Sequence, residues 1–167
     1  MVIIQESASV DSQFIIPFVE SVNNVFETML QLEVAVSPPS IRTDNTSQEI
    51  SGIIGMSGDV EGTVVLGFPA ATAERAVGAF TGMEIAADHE DFADAVGELV
   101  NMVSGGAKAK FTGKRVSIGC PSVVIGEHHV AGPKGIPTIH IPCSCDLGEF
   151  SVDVTLRAAA ADQGAAA

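Results

Sequence analysis

Residues 49–69, EISGIIGMSGDVEGTVVLGFP, hold the pattern that decides the fold. Two runs rich in Ile and Val flank the pair Gly58-Asp59. β-branched residues favour extended backbone, and a Gly-Asp pair between two such runs is a strong hairpin signal. The glycines inside the runs point to bulges or close packing. The simplest product is an antiparallel pair of strands, and the rest of the chain is read outward from it.

Upstream, PFVESVNNVFETMLQL, residues 17–32, places Phe18, Val22, Val25, Phe26 and Met29 at helical spacing, with Pro17 expected in the first turn. Residues 32–37 alternate as a short strand that Pro38-Pro39 ends, and residues 42–49 read as a polar loop. Downstream, PAATAERAVGAF is a short helix closed at Thr81-Gly82. A longer helix is expected from about His89 to Phe111, followed by the strands RVSIGCPSVVIG, IPTIHIPCS and EFSVDVTLR. The turns EHHVAGPKG, read as a solvated hairpin loop, and CDLG separate those strands. The order is a long helix with three strands, a short helix, then a long helix with three strands again. That predicts an α+β fold of two duplicated halves, with a largely antiparallel sheet carrying its helices on one side.

Composition narrows the function. The 167 residues suffice for one core, expected over residues 1–157 with a frayed tail at 158–167. With no Trp or Tyr, that core is built from aliphatic side chains and eight Phe. The net charge of −13 repels nucleic acid and anionic membrane surfaces. The opening MVIIQESASVDSQ lacks the basic region and apolar length of a signal peptide. Three cysteines, an odd number, argue against a disulfide framework and for a reducing cytoplasm.

On the helix of residues 89–111, Phe92, Val96, Leu99, Val100, Val103 and Ala107 fall in one sector. Asp94, Glu98, Asn101, Gly105 and Lys108 step along the opposite side, so Glu98 and Asn101 are neighbours one turn apart. A wet helix face commonly carries Glu, and an Asp near the N-terminus suits the helix dipole. Asn101 and the glycines Gly97, Gly105 and Gly106 are less economical, since each mid-helix glycine costs about 1 kcal/mol relative to Ala. Small residues around a carboxamide fit a surface that another backbone approaches closely.

Asp94-x3-Glu98-x2-Asn101, running into NMVSGGAKAKF, resembles the signature of the CheC/CheX/FliY phosphatases, which act on the phosphorylated chemotaxis response regulator CheY. IIPFVESVNNVFETML, EISGIIGMSGDVEGTVVLGFPAATAERAV, CPSVVIG and LGEFSVDVTL extend the resemblance, which is to CheX-like members, over about residues 14–157. One departure is that Pro121 lies about three residues nearer Asn101 than the family's proline does. The resemblance implies a CheC-like fold, a homodimer whose sheets join edge to edge, and hydrolysis of a regulator's aspartyl phosphate. It assigns Asn101 to orienting the attacking water and Glu98 to docking the regulator's lysine. Asp94, Gly97, Gly105 and Lys108 are then expected to meet the partner. The protein needs no cofactor of its own, because Mg²⁺ comes with the regulator.

Glu20-x2-Asn23 on the first helix is a second, sparser copy, with Ile16 rather than an Asp or Ser four residues before the Glu. Two other classes stay open: a non-catalytic module that docks a response regulator or a flagellar switch component, and a metal enzyme using Cys143, Cys145, His128, His129 and His140. For the latter, a CxC with no matching second pair falls short of zinc spacing. Gly113-Lys114 lacks the rest of a phosphate-binding loop.

Overall fold

A computed structural model describes residues 11–42 and 47–160. The first helix, α1, spans Ser12–Val25, and the Asp11 side chain caps it by accepting from the Gln13 N–H at 3.2 Å. That cap starts the helix earlier than expected and puts Pro17 inside it, buried in the core rather than in the first turn. The helix runs on into a π-turn, Phe26–Leu30, closed at Gln31 in the left-handed region (φ 58°). A π-turn holds one extra residue, so the stripe rotates. Leu30 turns inward, and Met29, expected in the core, is exposed.

The expected hairpin is present as β3, Gln48–Gly58, and β4, Val60–Phe68. Ahead of it, the strand expected at 32–37 shrinks to β1, Ala35–Val36, and a second short strand, β2, Ser40–Ile41, follows the prolines. Residues 43–46 of the expected loop lie outside the described residues, whereas Gln48 and Glu49 already belong to β3. Gly58 takes φ 104°, and a Cβ there would meet the Arg115 carbonyl oxygen at 2.3 Å, so this position requires glycine. Asp59 then fixes the turn by accepting from the Arg115 N–H at 2.7 Å.

α2, Ala70–Thr81, ends at Gly82 as expected, and α3 spans Glu90–Lys108 with His89 as its cap. The run 115–126 is not one strand. It forms β5, Val116–Ile118, and β6, Ser122–His128, both on β3. Ile118 pairs with Met56 and Ser122 with Ile53, so three residues, 119–121, face two on β3. This is a bulge, and Pro121, which has no N–H to donate, sits within it.

β7, Ile139–Cys145, and β8, Gly148–Ala158, complete an eight-stranded antiparallel sheet in the order β1-β7-β8-β4-β3-β5, with β2 on β7 and β6 on β3. β4 and β8 pair at the centre, and each half lends its broken edge strand to the other half's hairpin. The duplication read from the sequence is therefore intertwined. Of the tail expected from 158, Ala158 closes β8, and residues from 161 on lie outside the described residues.

The segment 129–138, which holds most of the expected loop EHHVAGPKG, is largely exposed but forms no hairpin, because β6 and β7 are not neighbours. It crosses the face of the sheet away from the helices, where Gly132 lies against Thr155. That covering buries Asp153, whose carboxylate accepts from Arg42 and meets His140 Nδ1, each at 2.6 Å. A buried carboxylate requires such partners.

On the other face, one apolar cluster joins the three helices to the sheet. α1 and α3 run antiparallel, with Phe14 and Phe18 against Phe111, and Ser21 Oγ donating to the Val103 carbonyl at 2.6 Å. A Cβ on Gly106 would come within 2.3 Å of Ser21 Oγ, so this glycine serves helix packing. Cys143 is buried in the same core, and burial first, then Cys145, pushes its thiol from 9.0 to about 12. No helix among the described residues is long and apolar enough to cross a membrane.

Unfolding in urea checks two of these contacts. Gly106→Ala lowers stability by about 1–3 kcal/mol from overpacking, despite its better helix propensity, and Ser21→Ala added to it recovers part of the loss. A thiol whose folded pKa is raised contributes stability that is complete below pH 9 and is lost as pH climbs from 9 towards about 12. The wild-type midpoint therefore falls more steeply above pH 9 than that of Cys143→Ala; equal slopes would refute the buried-thiol assignment.

Candidate functional site

Gly52 of β3 fixes how α3 sits. A Cβ there would lie 3.1 Å from Val100 and 3.4 Å from Val96, so the apolar stripe rests flush on the strand. With that stripe down, Asp94, Glu98 and Lys108 are exposed, and Asn101 and Gly105 are partly buried. All five expected face residues thus lie along one side of one rigid helix. Glu98 and Asn101, three residues apart, are one turn from each other, about 5–6 Å between Cβ atoms. Among the described residues, neither side chain makes a hydrogen bond or an ion pair within the chain. A carboxylate and a carboxamide are therefore both available to another molecule.

Gly97 and Gly106 pack within the chain rather than opening a surface. Gly97 is buried, and a Cβ on it would stand 3.4 Å from Pro121 and 3.6 Å from Val123. It faces the chain's own β6 rather than an open surface. Gly105 lies beside Ile118, 3.9 Å from where its Cβ would be. The small residues let the edge strand close on α3 at Gly97 and Gly105, and α1 close on it at Gly106.

Glu20 and Asn23 occupy α1 as Glu98 and Asn101 occupy α3, but their setting differs. The Glu20 carboxylate is paired with Lys110 at 2.9 Å, and the position four residues before it holds the exposed Ile16. The acid and the site's outward charge are thus already engaged within the chain. The cysteine and histidine residues do not converge either. Cys143 points into the core beneath β7, whereas the adjacent-parity His140 is hydrogen-bonded to Asp153 on the opposite face. His128 is tied to Ser51 Oγ at 2.8 Å, four strands away from β7 along the sheet order.

Reasoning from the sequence missed the bulge at 119–121 and the exposed Ile125 of β6. An Ile in an apolar run reads as core, and no periodicity marks an interruption of one residue.

The model of the family described as chemotaxis phosphatase CheX matches residues 50–144. The protein from Thermotoga maritima named CheY-P phosphatase CheX is 31% identical over 121 residues, covering 70% of this chain and 78% of that protein. The crystal structure of a chemotaxis protein CheX from Desulfovibrio desulfuricans has a TM-score of 0.80 at 29% identity, covering 88% of this chain and 99% of that one. CheX from Vibrio vulnificus has the same TM-score, 0.80, and identity, 29%, over 87% and 99%. The chain in a CheX-CheY-BeF3-Mg²⁺ complex from Borrelia burgdorferi, at 24% identity and TM-score 0.74 over 86% and 97%, shares the fold.

Proposed function

Because the chain belongs to the CheX family of chemotaxis phosphatases, we propose that it hydrolyses the aspartyl phosphate of a CheY-type response regulator. The observation that carries this reading is the pair Glu98 and Asn101, one turn apart on the outer side of α3, with no partner within the chain among the described residues.

Hydrolysis of an acyl phosphate is limited by holding a water in line with the leaving carboxylate, and positioning of that kind is worth several kcal/mol. A carboxamide suits the task because it offers one group that donates and one that accepts. Asn101, anchored on a helix packed on both sides, enters the regulator's site and orients the water. Glu98 meets the regulator's lysine and sets the docking register, a contribution to specificity more than to affinity. Asp94, Gly105 and Lys108 lie on the docking side, whereas Gly97 acts from beneath by admitting Pro121. In this reading Mg²⁺ is carried by the regulator and neutralises phosphoryl charge there. This chain contributes water position and register.

Glu20 and Asn23 are not assigned to catalysis, since Lys110 already takes the Glu20 carboxylate. Residues 1–157 act as one domain in this reading. Its free cysteines suit a reducing cytoplasm, where such a regulator works. A homodimer joined edge to edge completes the reading, because the outer edge of β6 is seven residues long, whereas β1 and β2 have two residues each.

The test is loss of labelled phosphoryl from a phosphorylated CheY-type regulator with Mg²⁺, with and without the protein. Wild type accelerates the decay, Asn101→Ala removes about 10²-fold of kcat, and Glu98→Ala raises KM about tenfold or more. Wild type that binds the regulator without accelerating decay would replace this reading with the non-catalytic docking module.

A further inference from the structure

Resting on the phosphatase reading, we infer that the regulator is seated across α3 and the β5–β6 edge, with the bulge Gly119-Cys120-Pro121 and the exposed Ile125 forming the second half of the docking surface.

The α3 stripe alone is too small. From Asp94 to Lys108 is about 21 Å along the axis, and a strip one side chain wide over that length offers roughly a quarter of the ~800 Å² per partner that specific complexes bury. The regulator must also cover one flank, either α1 or the β5–β6 edge.

Two contacts fix the directions of these flanks. Gly97 points at Pro121 and Val123 of the edge, and Gly106 points at Ser21 of α1. At about 100° per residue, Gly106 lies about 180° round the helix from Gly97, whereas Lys108, Asn101 and Asp94 lie only about 20°, 40° and 60° from it. Asn101 therefore leans towards the edge strand and away from α1, in keeping with its partial burial. A partner that receives the Asn101 amide comes down over the β5–β6 side.

That side is continuous with α3 along its length. Ile118 lies beside Gly105, and Pro121 and Val123 lie beside Gly97. Ile125 is next in line on the same side, since Val123 and Ile125 pair with Gly52 and Ile50, both of which face the helices. It is 45% exposed, an apolar side chain about 7 Å beyond Val123 and level with the Asp94 end of the stripe. The bulge lifts Pro121 against the helix, closing the cleft between helix and strand. The α1 flank is instead occupied by its own packing at Ser21 and by the Glu20–Lys110 pair. Docking uses side chains above the sheet, which leaves the in-plane edge of β6 free to pair with a second copy.

Steady-state dephosphorylation and thiol labelling test this together. Ile125→Asp raises KM for the phosphorylated regulator at least tenfold with kcat within twofold, while Ile16→Asp, on the exposed side of α1, leaves both unchanged. In the wild type, the regulator with BeF3 and Mg²⁺ slows maleimide labelling of exposed Cys120 at least fivefold. The inference is overturned if Ile16→Asp raises KM and Ile125→Asp does not, or if Cys120 labels equally fast with regulator bound. It is also overturned if Ile125→Asp dissociates a dimer in sedimentation while KM stays unchanged, since the patch then serves a second copy. If wild type binds the regulator without accelerating decay, the phosphatase reading fails, and protection of Cys120 still decides the seat.

Discussion

Val100 presses so closely on Gly52 that a methyl group there would come within 3.1 Å of it. This contact sets the rotation of α3 on the sheet, and that rotation governs everything the outer side of the helix presents. A larger residue at 52 would lift or roll the helix, since side chains in cores at this density have little room to yield. Phe92, Val96, Leu99, Val100 and Val103 are fully buried as a result. Glu98 and Asn101, on the opposite side, are held by a rigid element rather than by a loop. That placement matters for a task of positioning, where an error of about 1 Å is costly.

The intertwined sheet supplies the second restraint. Because each half gives its edge strand to the other, the segment after β6 has to cross the outer face to reach β7, and it buries a polar row as it goes. Asp153 on β8 is satisfied there by Arg42, which follows β2, and by His140 of β7. An unpaired carboxylate at that depth would be strongly unfavourable, so Asp153 requires both partners. The crossing chain lies over part of the face that the helices leave free, against Thr155 of β8.

Much of this is legible in the sequence where a signal is local. The hairpin at Gly58-Asp59, the end of α2 at Gly82 and the two faces of α3 come from turn chemistry and periodicity, and all are present. The start of α1 escapes such a reading because Asp11 caps it outside the apolar stripe. Met29 escapes it because one extra residue in the π-turn rotates the helix beyond it. Gly97 and Gly106 look like room for a partner, yet their neighbours are Pro121 and Ser21, residues distant in sequence. The path of 129–138 depends on strand order, which no local pattern encodes. The positions of Glu98 and Asn101 can be read from the wheel, whereas the flank that Asn101 leans towards cannot.

The central claim is that the Asn101 amide, presented by α3, orients the water that attacks the aspartyl phosphate. Asn101→Asp tests it most directly, because the carboxylate keeps the shape of the side chain and loses its N–H donors. Single-turnover decay of a phosphorylated regulator, at saturating protein, separates the chemical step from binding. The account predicts a rate close to that of the regulator alone, with the saturation midpoint within a few-fold of wild type. A variant that dephosphorylates the regulator as fast as wild type at saturation would contradict it.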